Sequence, residues 1–174
     1  MLSSIGFCND RLMRSIKEDN REFPPDSLPA NLHAERTILG AILIDNAAHA
    51  EAAATLNSED FALDSHRRIF LRMTELMNEK HSVDIVTLAE KLSFCKEREA
   101  IGGIAYLASL TEGLPRRPVI KEYIAIIKEK AKLRRIMLVC SAAIAQAADQ
   151  STTASDIVEQ LGIGVRGIKE KRKP

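Results

Sequence analysis

Gly162-Ile-Gly164-Val-Arg-Gly167 has the spacing G-x-G-x-x-G. After a strand and before a helix, that spacing holds a dinucleotide pyrophosphate on backbone N–H groups. Here a helical pattern precedes it and only seven residues follow, so there is no room for a βαβ unit. Read as a phosphate loop, it places Ile168 where the lysine is needed. What remains is a helix end and a flexible tail. His33, His49, His66 and His81 fall in different predicted elements, and none has a second histidine at i+4 for a metal. His66 stands before an apolar helical face, where hydrogen bonding at the edge of the core is its expected role. Asp84 reads as a helix cap rather than a catalytic base. Cys8, Cys95 and Cys140 are odd in number and far apart, which makes neither a zinc pattern nor a disulfide framework and suits a reducing cytoplasm. No Ser-His-Asp or Cys-His arrangement has supporting context. The residue types thus point away from catalysis, nucleotide binding and metal cofactors.

Charge is more informative by place than in total. The net charge is +1, so no global field favours nucleic acid or membrane. Between Arg116 and Arg135, however, eight Lys/Arg face only Glu122 and Glu129. Tyr123 is the one aromatic there to stack on a base, so direct DNA contact is expected to be weak or absent and a solvated face is the simplest reading. No apolar run approaches the roughly 18 residues of a membrane span, and no basic leader with a long apolar stretch opens the chain.

The elements that must position these residues are helical throughout. A polar arm is expected over residues 1–27, with a short helix near Arg11–Glu18. Asn31 should cap a helix carrying Ile38, Leu39, Ile42 and Leu43, and Gly40 within it should mark close packing. Further helices are expected over Ala47–Leu56, from Asp64 or Ser65 past Met77, from Asp84 to Leu92, and after Gly102-Gly103. Leu114-Pro-Arg-Arg-Pro118 reads as a connector, with Pro118 in a first helical turn. From Val119 to about Ala148 nothing breaks the pattern, which gives roughly 45 Å of helix. Gln150–Thr153 should turn, and Ala154–Leu161 should return. No strand pattern persists. The expected fold is all-α: a small helical bundle over 28–114, a projecting long helical hairpin over 115–161, and a basic flexible tail over 162–174.

The motif words Pro29-x-x-Leu-His-Ala-Glu35-x-x-x-Leu39-Gly40-x-x-Leu43-x-Asp45, Asp60-Phe61 and His66-Arg-Arg-Ile-Phe70 occur in that order. They are followed by Val83-Asp-Ile-Val-Thr-Leu, Gly102-Gly-x-Ala-Tyr106 and Tyr123-x-x-x-Ile-Lys-Glu-Lys-Ala-x-x-Arg134. In this order they resemble the N-terminal domain of the bacterial DnaB-type replicative DNA helicases, over roughly residues 28–160. The resemblance implies a non-catalytic assembly domain that dimerises through its hairpin, builds a collar for a hexameric ring and recruits primase. ATP and magnesium would belong to a separate RecA-like motor, since this sequence holds no G-x-x-x-x-G-K-[ST] loop. An alternative is a stand-alone interaction protein of the same fold. The stretch Ile136–Cys140 and the residues after it are apolar nearly all round, and one return helix can cover only one side. Val119, Tyr123, Ile127, Ile136, Val139, Cys140, Ala143 and Ile144 are therefore the expected contact with a second copy, Cys140 serving as a small buried hydrophobe. Arg134 and Arg135 are the expected primase contacts.

Overall fold

The computed structural model describes residues 28–114, 119–149 and 152–169. The arm expected over 1–27, the connector with Pro118, the first half of the turn at Gln150 and the end of the basic tail lie outside the described residues. Seven α-helices and no strand occur among those described: α1 (Leu32–Ile44), α2 (Ala47–Ala53), α3 (Asp64–Asn78), α4 (Ile85–Phe94), α5 (Gly103–Ser109), α6 (Lys121–Asp149) and α7 (Ala154–Lys169). A 3-10 turn spans Ser58–Asp60. The chain divides into two compact units, Pro29–Ala131 and one that takes in Lys132 onward.

In the first unit the helix starts follow local chemistry. The Asn31 side chain accepts from the Ala34 N–H at 3.0 Å, and Asp84 accepts from Val86 and Thr87. Each cap satisfies N–H groups that the first turn leaves without partners. Asp64 departs from the expected pattern: Leu63 holds the cap position of α3, and Asp64 instead pairs with Arg68 one turn on, at 2.6 Å. The helix ends of α3 and α4 share one device. Lys80 and Lys96 take left-handed backbone angles, and the next N–H groups, of His81 and Glu97, reach back to Leu76 and Leu92 at 2.9 Å. That bond consumes a terminal carbonyl and turns the chain.

The core of this unit collects Ile38, Leu39 and Ile42 from α1, Ile69, Phe70 and Met73 from α3, Leu88 and Leu92 from α4, and Leu107 from α5. Phe61 and Phe70 lie with ring centroids 4.9 Å apart. Each such aliphatic side chain contributes about 1.5–3 kcal/mol on burial. Gly40 works as expected: a Cβ there would overlap the Leu110 carbonyl oxygen, so only glycine lets the backbones approach. Ile120, just before α6, and Ile124, Ile127 and Ala131 in its opening turns close the unit, all of them buried.

In the second unit α6 and α7 form an antiparallel hairpin. Gln146 donates to Gln160 at 2.9 Å, and Val139 packs onto Gly164. Thr153 caps α7 by accepting from the Asp156 N–H at 3.3 Å. The glycines do not end the return helix at Leu161. α7 continues through Gly162, Gly164 and Gly167 to Lys169, so those turns are helix and not tail. At Gly164 the reason is packing, since a Cβ would stand 2.8 Å from a Val139 methyl.

Candidate functional site

The densest polar cluster is buried. Glu35 on α1 and His66 on α3 are 1% and 0% exposed. Glu35 Oε2 meets His66 Nδ1 at 2.7 Å, and Glu35 Oε1 accepts from the Ala62 N–H at 2.7 Å. On the other side of the ring, His66 Nε2 lies 2.6 Å from the Tyr106 hydroxyl on α5. One proton arrangement satisfies all three groups with a neutral ring: Nδ1–H donates to Glu35, and Nε2 accepts from the Tyr106 O–H. Burial raises the Tyr106 phenol above its ordinary range. The Arg36 guanidinium lies 5.8 Å from the centre of that ring and donates to the Ser109 carbonyl.

Carboxylate, imidazole and hydroxyl in line are the ingredients of acid–base chemistry. Here both ends of the imidazole are occupied and the ring is shut off from solvent, so no substrate can reach it. The array ties three helices together. The sequence reading placed Glu35 in a first turn and gave His66 a hydrogen bond at the core edge. The structure joins Glu35 to His66 across 31 residues of chain and His66 to Tyr106 across 40.

Other motif residues are used in the same way. Asp60 is fully buried, accepts from the Asn57 N–H at 3.0 Å and pairs with Lys128 at 2.9 Å. Lys128 also donates to the Thr55 carbonyl at 2.8 Å, which fastens the start of α6 to the turn before α3. Arg67 donates to the Phe61 and Ala62 carbonyls. Arg72 and Arg68 both hold Glu97, and hydrogen bonding from Arg72 keeps the Glu97 carboxyl below the usual carboxylate range. The words that carry the family resemblance are thus largely spent on building the bundle.

The expected contact residues separate into three groups. Ile136, Cys140 and Ile144 recur every fourth residue on α6 and are exposed, Ile144 to 65%. Cys140 is therefore a surface residue, correcting the expectation that it is buried, because it is the neighbouring Val139 that packs against Gly164 of α7. Val139 and Ala143 are half-buried, and Val139 already packs on Gly164 of its own chain. Ile127 belongs to the core of the first unit at 1% exposure and has no surface to offer another copy. Val119 is exposed, while Tyr123 is half-buried, with its ring edge-on to His33 at 6.3 Å. Of the expected primase contacts, Arg134 is buried and Arg135 half-buried, so the basic stretch is not a uniformly solvated face. Sequence reasoning missed Leu133 on α6 and Val158 and Val165 on α7, all exposed. The seven-residue spacing of the two valines was the available signal.

Among the described residues no group of three His, Cys, Asp or Glu could hold a metal ion, and no helix is long and apolar enough to cross a membrane.

Residues 27–129 match the family described as the DnaB-like helicase N-terminal domain. The chain is 34% identical over 131 residues to the replicative DNA helicase DnaB of Treponema pallidum, covering 75% of this chain and 30% of that protein. It is 35% identical over 133 residues to the replicative DNA helicase DnaC of Bacillus subtilis, covering 76% of this chain and 28% of that one. It therefore spans under a third of these relatives. The crystal structure of the N-terminal domain of DnaB helicase from Mycobacterium tuberculosis superposes with a TM-score of 0.76 at 25% identity, covering 82% of this chain and 99% of that one. With the family match extending over more than half its length, the chain belongs to the DnaB-like helicase N-terminal domain family.

Proposed function

We propose that this chain is the assembly domain of a replicative DNA helicase: it pairs with a second copy through its hairpin, contributes to a ring collar and offers a docking surface to primase. It performs no chemistry itself, and ATP and magnesium belong to the motor that drives the relatives. The observation that carries the pairing is the apolar stripe Leu133, Ile136, Cys140 and Ile144, left exposed on a helix whose other face is already packed on α7. A two-fold pairing would bury the same stripe on both copies. A few aliphatic side chains at about 1.5–3 kcal/mol each can offset the loss of translational and rotational freedom. Val158 on the return helix is exposed as well. Primase docking draws on the family relationship and on the basic character around Arg135; Arg134, being buried, is a poor contact. Widely separated cysteines and relatives that replicate DNA favour a cytoplasmic location.

Sedimentation equilibrium tests the pairing. The wild-type chain should be a dimer at micromolar concentration, or a larger assembly of dimers. Ile144→Asp, at a site 65% exposed within its own chain, should give a folded monomer. A wild-type chain that stays monomeric at high concentration refutes the pairing. Primase binding is read separately by titrating primase against wild type and Arg135→Glu.

A further inference from the structure

α7 is built in two unlike halves. Its first half, Ala154–Leu161, is capped by Thr153, carries Asp156 in the opening turn and contains no glycine. Its second half, Gly162–Lys169, holds three glycines in eight residues. Only one of them has a steric reason to be glycine, Gly164 against Val139. At Gly167 a Cβ would meet nothing within 4 Å, and at Gly162 it would meet only the Arg166 guanidinium, 3.5 Å away. A helical glycine costs about 1 kcal/mol against alanine, a factor of about five in the local opening constant, because the open chain has more freedom to lose. At Gly162 and Gly167 that cost is therefore not imposed by packing within the chain.

We infer that Gly162–Lys169 is a locally unfolding segment, which opens and closes while the capped half of α7 stays on α6. Local opening of this kind lies at the low end of the stability range inside a fold. It leaves the hairpin intact and frees the direction in which the chain continues past Lys169. Its consequence is mechanical: whatever is attached beyond that point is joined through a compliant turn and not a rigid rod. The inference does not depend on how two copies pair.

Hydrogen exchange of the full 174-residue chain, read by mass spectrometry on peptides from the two halves of α7, tests it. In the wild type the amides of the second half should exchange faster than those of Ile157–Leu161. In Gly162→Ala/Gly167→Ala the second half should slow by about 25-fold, two factors of about five, while the first half is unchanged. Equal protection of the two halves in the wild type would overturn the inference. So would slowing of both halves together in the double variant, since the helix would then open only as one unit. A third overturning result is weakened self-association in the double variant, which would assign the glycines to close approach by a second copy. A strictly monomeric wild type would refute the pairing proposed above and leave these exchange readouts intact.

Discussion

Replacing Glu35 by glutamine isolates the buried array from its shape. The side chain keeps its size, so no cavity opens. The carboxylate now accepts two donors, the Ala62 N–H and His66 Nδ1, each at 2.7 Å. A glutamine has one carbonyl oxygen, so it satisfies one donor and turns its own NH₂ toward the other. The loss is one buried hydrogen bond to a charged acceptor, about 2–3 kcal/mol. For a chain of this size each kcal/mol moves the melting temperature by roughly 2–4 °C, so Glu35→Gln should melt about 4–12 °C lower. Tyr106→Phe removes only the bond to His66 Nε2 and should cost about 1–2 kcal/mol. Because both substitutions act on the same imidazole, their effects should not add, and the double variant should fall short of the sum by 0.5 kcal/mol or more. Urea unfolding followed by far-ultraviolet circular dichroism measures all three. A Glu35→Gln change within 0.5 kcal/mol of wild type would show that the array is not holding the bundle together.

Gly164→Ala should loosen the hairpin, because its methyl would meet Val139 at 2.8 Å; exchange in α7 should rise, whereas the same substitution at Gly167 should lower it. Lys96→Gly should stabilise the chain by about 0.5–1 kcal/mol in urea, since Lys96 sits at φ 57° at the end of α4, where glycine carries no Cβ penalty. The Glu97 carboxyl is held low by Arg72, so its contribution is present above about pH 4.5, its unfolded value, and is lost as the pH falls through its lower folded value. Acid unfolding of Glu97→Gln should therefore begin from a lower plateau at neutral pH and decline less steeply below pH 4.5. His49 titrates lower than usual because burial disfavours its charge, so its contribution is full above about pH 6.5 and fades as the pH drops through its lower folded value; His49→Gln should flatten the stability curve below pH 6.5.

Several features were legible in the sequence because their causes lie within a turn or two of chain. The caps at Asn31 and Asp84, the periodic faces of α1 and α3, and the unbroken run that became α6 all depend on neighbours at i+2 to i+7. The order of the motif words was enough to indicate the family before any coordinates. What those words do was not legible. Glu35, His66 and Tyr106 meet only because three helices cross at one point, and Asp60 finds Lys128 across 68 residues. Pairings of that range are set by helix crossing, which no local spacing encodes. The same reason explains the misplaced helix end at Gly162, where packing of Gly164 on Val139 accompanies a helix that propensity alone would end. It also explains why Ile127, Val139 and Ile144, alike in an apolar pattern, have different fates. Sequence determined that α6 carries more apolar surface than one neighbour can cover. Only the tertiary structure decided which of those side chains the chain keeps for its own core and which it leaves exposed.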